Sequence, residues 1–186
     1  ATNVRLGALE SAGKYISVGV DAFSRDAVAG QAGVAIGDSA KAGAEGATAV
    51  GAFSTSLGRN GVAIGRASLV AGGAANGFAM GAGSNVHANN GVAIGSGAKV
   101  AATADESLAL GAGSEATEAG TASFGASGVG RRLVNVSRGT ADHNAITVSQ
   151  LKDALVTLGA GAGMDASGNI IAPTYSVQAG TQNTVE

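Results

Sequence analysis

Along most of this chain the hydrophobic positions arrive in short cassettes that read large, small, large, and each cassette closes on a glycine. They are Ile16-Ser-Val-Gly19, Val34-Ala-Ile-Gly37, Thr48-Ala-Val-Gly51, Val62-Ala-Ile-Gly65, Phe78-Ala-Met-Gly81, Val92-Ala-Ile-Gly95, Leu108-Ala-Leu-Gly111 and Ala122-Ser-Phe-Gly125. Successive glycines are separated by 18, 14, 14, 16, 14, 16 and 14 residues. A fixed step of this length marks stacked copies of one unit. After each glycine the third and fifth residues are nearly always small, as in Ala22/Ser24, Ala40/Ala42, Ser54/Ser56, Ser68/Val70, Ser84/Val86, Ala98/Val100 and Ser114/Ala116. Each copy therefore holds two period-two runs, which predicts two β-strands per coil of an all-β parallel solenoid, a β-roll of about 14-residue repeats. Helix is excluded, because every copy carries several glycines at about 1 kcal/mol each against alanine in a helix interior. Eight coils stacked at about 4.8 Å would make a rod roughly 40 Å long.

The alternation assigns faces. The two large residues of a cassette share one side of the strand and the small residue between them points the other way. On hydrophobicity the large set is expected to line the interior, with Ile64 in the core of a middle coil. The opposite row is Ser17, Ala35, Ala49, Ala63, Ala79, Ala93, Ala109 and Ser123, uncharged and short. Such a row predicts a face that a second chain approaches closely. The fourth residue after each glycine, Phe23, Lys41, Thr55, Leu69, Asn85, Lys99, Glu115 and Val129, forms a mixed outward stripe. With the insertions at 71–76 and 101–106, this stripe is where a ligand would bind along the coils.

Beyond the last coil the period disappears. Thr147 with Gln150 makes a capping box, and Val148, Leu151, Leu155 and Leu158 then step by 3, 4 and 3, the a/d spacing of a coiled coil, up to Gly159. Farther on, Asp165-Ala-Ser-Gly-Asn169 reads as a turn before the strand-like run Ile170–Val177, which Pro173 restricts to an edge or a bulge. This last stretch is expected to be cut before its end near Glu186.

Composition narrows the function. The 186 residues include 32 Gly, one Pro, no Cys and 3% aromatics, so one copy buries a thin core and is expected to need partners. A net charge of −2 without a basic run argues against nucleic acid. Absence of cysteine removes disulfide and thiolate-metal chemistry, and no cofactor is expected. His87 and His143 each stand alone, away from metal-ligand spacing, and the Gly-x-Gly pairs are coil corners rather than phosphate loops. No catalytic, metal or cofactor residue is assigned. Asn135-Val-Ser137 matches a glycosylation sequon within an irregular segment, where a structural role is favoured.

The Val-Ala-Ile-Gly coils, followed by Arg131-Arg132, Asn135-Val136, Gly139-Thr-Ala-Asp142 and Val148-Ser-Gln-Leu-Lys152, resemble the head and neck of the YadA-like trimeric autotransporter adhesins. The resemblance implies a left-handed β-roll head over 1–130, a neck over 131–152, and a coiled-coil start with a small β stalk module over 153–186. It implies a homotrimer at the surface of a Gram-negative bacterium, anchored in the outer membrane by a C-terminal barrel outside this sequence. Its partner would be a host extracellular-matrix protein or host-cell receptor. The trimer would be held by the alanine row Ala35, Ala49, Ala63, Ala79, Ala93 and Ala109 and by the seam Val148, Leu151, Leu155 and Leu158. Arg131, Arg132, Asn135, Arg138, Asp142 and Asn144 would make neck contacts between chains. Two alternatives fit less well: a left-handed β-helix acyltransferase, whose coils run to 18 residues, and a purely structural surface spacer.

Overall fold

The structure is a computed structural model that describes Gly19, residues 24–177 and residues 180–182. The chain divides into two units, Ala1–Arg131 and Arg132–Glu186. In the first, the described cassettes form β2 (Val34–Ile36), β4 (Thr48–Val50), β6 (Val62–Ile64), β8 (Phe78–Met80), β10 (Val92–Ile94), β12 (Leu108–Leu110) and β14 (Ala122–Ser123). Between them run β1 (Val28–Ala29), β3 (Lys41–Ala42), β5 (Thr55–Ser56), β7 (Leu69–Val70), β9 (Asn85–Val86), β11 (Lys99–Val100) and β13 (Glu115–Ala116). Even-numbered strands pair only with even and odd only with odd, giving two seven-stranded parallel sheets, the connectivity of a solenoid. The cassette register is kept throughout: Ala49 lies against Ala63, Ala63 against Ala79, Ala79 against Ala93 and Ala93 against Ala109. The first cassette, Ile16–Val18, lies outside the described residues.

The first coil departs from expectation. Val28–Ala29 pairs with Lys41–Ala42, so Ala29 takes the place assigned to Ser24, and the extra residues of the 18-residue step precede the strand. Ala22 and Phe23 lie outside the described residues. The two 16-residue steps keep strand register, because their extra residues form a turn closed by Ala74 N–H on the Ala71 carbonyl at 3.0 Å, repeated by Ala104 on Ala101 at 3.0 Å.

Why glycine must recur is a matter of contact between coils. Gly37, Gly51, Gly65, Gly81, Gly95 and Gly111 have φ between 108° and 133°, a conformation that L-residues avoid. A Cβ on Gly81 would meet the Gly95 carbonyl oxygen at 2.5 Å, and one on Gly65 would meet the Gly81 carbonyl carbon at 2.7 Å. From Gly37 to Gly95 each anchor glycine lies directly on the backbone of the next.

The core between the sheets is built from the small residues. Ala49, Ala63, Ala79, Ala93 and Ala109 have no exposure; the last four pack within one chain with Val70, Val86 and Val100 of the facing sheet, and Ala49 packs with Ala42 and Ala47. The expected orientation of the cassettes is thus reversed: alanines point in, and Ile64 and its large neighbours point out. The reason is volume. In so short a coil the sheets are too close for a second layer of large side chains; even a Cβ on Gly77 would reach Val70 Cγ1 at 2.9 Å and Val86 Cγ1 at 3.0 Å. Serines fill the corner, where Ser68, Ser84 and Ser114 donate to the carbonyls of Gly65, Gly81 and Gly111 at 2.9, 2.9 and 2.7 Å. The hydroxyls of Ser54 and Ser56 are buried with no partner.

The second unit contains α1 (Val148–Val156), with Thr147 as N-cap and the Thr147/Gln150 capping box in place. The Gln150 amide also clasps Gly139, accepting from its N–H and donating to its carbonyl, both at 2.8 Å. The expected seam is shortened, because the helix ends at Val156 and Leu158 lies beyond the Thr157 C-cap. Asp165–Asn169 is a turn between β15 (Gly163–Met164) and β16 (Ile170–Ile171). The Ile170–Val177 run is split at Pro173, with a second hairpin of β17 (Tyr175–Val177) and β18 (Gly180–Gln182).

Two substitutions separate the glycine roles. Gly81→Ala adds a Cβ against a carbonyl and should cost about 3 kcal/mol or more, whereas Gly83→Ala enters open space at φ +66, where about 1 kcal/mol is expected. Thermal melting measures both, and equal midpoints contradict the stacking. Ser56→Ala removes a partnerless hydroxyl and should raise stability by about 1 kcal/mol.

Candidate functional site

The reversal leaves a continuous apolar face on the outside of the cassette sheet. Two columns run along it in register: Val34, Thr48, Val62, Phe78, Val92, Leu108 and Ala122, and beside them Ile36, Val50, Ile64, Met80, Ile94 and Leu110. No residue of either column carries a charge. Val34 is 48% exposed and Met80 and Ile94 are each 39% exposed, while Val62, Ile64 and Phe78 are half-buried. Neighbouring large side chains shield one another along the columns, and among the described residues of the first unit nothing covers them. A contiguous exposed apolar patch on this scale marks an interaction surface.

The alanine row cannot serve as that surface. Ala49, Ala63, Ala79, Ala93 and Ala109 are fully buried inside a single chain, and Ala35 packs at the edge of the same core. A signal for the true arrangement was present in residue size. The middle column admits only alanine and serine, as a confined site does, whereas the outer columns admit Thr, Val, Ile, Leu, Met and Phe.

The opposite sheet carries the mixed stripe outward as expected, with Lys41 and Lys99 exposed and Thr55, Leu69, Asn85 and Glu115 half-buried. Lys99 and Glu115 pair across coils at 2.8 Å, with side chains 49% and 36% exposed; such pairs contribute at most about 1 kcal/mol. Val129 is not part of the stripe, since it bridges Ala126 in the turn that closes the last coil. Phe53 is an exposed aromatic held at φ 60, a left-handed corner where other coils have Ser39, Ala67 or glycine, and the Arg66 guanidinium lies 5.8 Å from its ring centre. Its signal in the sequence was its size at a small-residue position.

Three of the neck residues, Arg131, Arg138 and Asn144, find partners within the chain. The Arg131 guanidinium donates to the Phe124 carbonyl at 2.6 Å and also to that of Ala112, filling the place below Gly111 that the next coil's backbone would occupy. Arg138 pairs with Asp153 at 2.9 Å. Asn144 Oδ1 accepts from the N–H groups of Thr140 and Ala141, both at 3.1 Å, satisfying an irregular turn. Arg132, Asn135 and Asp142 are exposed, and Asn135 sits at φ 60. In α1, Leu151 and Leu155 are half-buried, while Val148 is exposed, as is Leu158 past the helix end.

Other chemistry is sparse. Among the described residues no three His, Cys, Asp or Glu side chains come together as a metal site, and no helix is long and apolar enough to cross a membrane. His87 lies in the first unit and His143 in the second. Asp165 accepts from Asn169 Nδ2 and from the N–H groups of Ser167 and Asn169 at 2.8 to 2.9 Å. The Asn169 side chain and then these N–H groups hold the Asp165 carboxyl below the usual range. The loop is a self-satisfied turn.

No protein-family model matches the sequence, and no curated protein matches it. Among solved structures, the collagen-binding domain of the Yersinia adhesin YadA is 32% identical over 67% of this chain and 83% of its own length, with a TM-score of 0.45. The chain belongs to the YadA-like adhesin heads. A C-terminal YadA-like domain from Burkholderia pseudomallei is 23% identical over 51% of this chain and 63% of its own length, with a TM-score of 0.32. Membership in the YadA-like heads rests on the 32% identity over most of the Yersinia domain and on the coil register; the two superpositions add no part of it.

The two faces of the cassette sheet predict opposite phenotypes. Ala93→Glu places a charge in a fully buried position and should unfold the coils, at a cost of several kcal/mol. Ile94→Glu, one residue on, points outward and should leave the coils folded. Circular dichroism with thermal melting checks both, and an unfolded Ile94→Glu variant beside a folded Ala93→Glu variant contradicts the assignment of the faces.

Proposed function

We propose that this chain is the head of a homotrimeric cell-surface adhesin that attaches to host cells or extracellular matrix through several weak contacts at once. The observation that carries the reading is the uncharged double column on the outer cassette face, in a chain 32% identical to the collagen-binding domain of a bacterial adhesin. Three copies would turn these columns toward one another and away from water. At about 25 cal/mol for each Å² of apolar surface removed from water, half-exposed Val, Ile, Met and Phe repeated over seven strands supply the association that a core of alanine and valine lacks. The trimer interface is then the Ile64, Met80 and Ile94 side, and the alanine row holds each roll together behind it.

With the cassette face covered, the opposite sheet and the corners remain for a ligand, displayed three times on one rod. Linked sites of this kind raise avidity by roughly 10² to 10⁴ over one contact. In this reading the second unit begins the connection to a stalk, with residues 131–152 as neck, and a β-barrel anchor outside this sequence holds the molecule in the outer membrane of a Gram-negative bacterium. Virulence association follows from attachment to a host.

The test is binding of the 186-residue protein to immobilised collagens, laminin and fibronectin and to cultured epithelial cells, alongside the Ile94→Glu variant. The expected result is saturable binding to at least one surface, weakened at least 10²-fold in the variant through lost avidity. No binding to any surface, or equal binding by both proteins, overturns the proposal.

A further inference from the structure

One corner of the solenoid carries an unusual repetition: Asn60-Gly61, Asn76-Gly77 and Asn90-Gly91 stand at the same place in three successive coils. The three asparagines share a left-handed conformation, with φ of 55°, 56° and 54°, and all three are exposed. Their side chains form a ladder along the rod. Asn60 Nδ2 donates to Asn76 Oδ1 at 3.3 Å, and Asn76 Nδ2 donates to Asn90 Oδ1 at 3.0 Å. There it ends, because the next residue in the column is Glu106, at φ 59. Among the described residues the Asn90 amide nitrogen donates to nothing.

We propose that Asn90 is a site of spontaneous deamidation, at which the rod gains one negative charge as it ages. An Asn-Gly pair favours this chemistry because glycine has no Cβ to shield its backbone nitrogen from the preceding side chain. The Gly91 nitrogen attacks Asn90 Cγ, forming an N–Cγ bond. The Cγ–Nδ2 bond breaks, and Nδ2 leaves as ammonia with the proton from the Gly91 amide. Water then opens the five-membered imide at either carbonyl, leaving aspartate or isoaspartate. No oxidant or enzyme is needed.

Two features single out Asn90. Its leaving nitrogen is unheld, whereas those of Asn60 and Asn76 are tied into the ladder. The hydrogen bond from Asn76 polarises its carbonyl, as the one from Asn60 polarises that of Asn76. The attacking N–H is also the loosest of the three: Gly91 reaches the Ala88 carbonyl at 3.4 Å, against 3.2 Å for Gly77 on Ala74 and 2.9 Å for Gly61 on Gly58. The α-linked product is also tolerated at this position alone. Asn90 serves the ladder only as an acceptor, a role that a carboxylate keeps, whereas Asn76 uses both ends of its amide. The new charge joins a corner that already holds Glu106 in the same column, and Asp105, whose Oδ1 accepts from Asn89 N–H at 2.8 Å.

The test is peptide mapping by mass spectrometry of the folded 186-residue protein after weeks at physiological temperature in mildly alkaline buffer, with the urea-unfolded chain in parallel. The expected result is deamidation at Asn90 several-fold faster than at Asn60 and Asn76 in the folded protein, and similar rates at all three in urea. The intact protein should gain an acidic peak on anion exchange that the Asn90→Gln variant lacks. The peptide map stands whether or not that variant folds. Equal rates at the three asparagines in the folded protein, or no deamidation at Asn90, overturns the proposal.

Discussion

Everything in the first unit depends on one close contact, glycine backbone laid on glycine backbone from coil to coil. Because a Cβ at Gly65, Gly81 or Gly95 would fall 2.5 to 2.7 Å from the next coil's carbonyl group, the corner is closed to every other residue. The positive φ there turns the chain sharply enough for three-residue and two-residue strands to face each other. A coil so tight leaves room inside for alanine, serine and valine only. Thin cores are weak cores, since the interior side chains have little apolar area to remove from water. The large residues of each strand are driven to the outer face by lack of space, and in the proposed trimer that face is where the copies meet.

The end of the stack shows the same constraint from the other side. Where coils stop, backbone carbonyls lose their partners, and leaving them buried and unpaired would be costly. Arg131 meets this need with a forked guanidinium directed at the carbonyls of Phe124 and Ala112. In the second unit Gln150 does comparable work, joining the helix cap to the Gly139 peptide with one amide. Both are single side chains substituting for a strand or a turn.

The period, the two strands per coil, the corner turns and the capping box at Thr147 were legible in the sequence, because backbone geometry dictates each of them through glycine, small residues or a fixed Thr/Gln spacing. Which face points inward was not. Hydrophobicity ranks Ile64 above Ala63 for burial, yet the interior is chosen here by volume, and Ala63 has no exposure while Ile64 keeps some. The neck arginines were legible as a cluster, but the acceptors of Arg131 are main-chain carbonyls exposed by the end of the repeat and carry no signature of their own. Leu158 fitted the helical spacing and still falls outside the helix, since heptad spacing does not register where a cap at Thr157 ends it.

The central claim is that the tight glycine stack leaves the outer cassette face to be covered by further copies of the same chain. Sedimentation equilibrium of the unmodified protein at micromolar concentration tests it most directly. The account predicts a single species of three times the 17.5 kDa chain mass. A stable 17.5 kDa monomer with folded coils would contradict it, because the apolar columns would then stand in water at no cost.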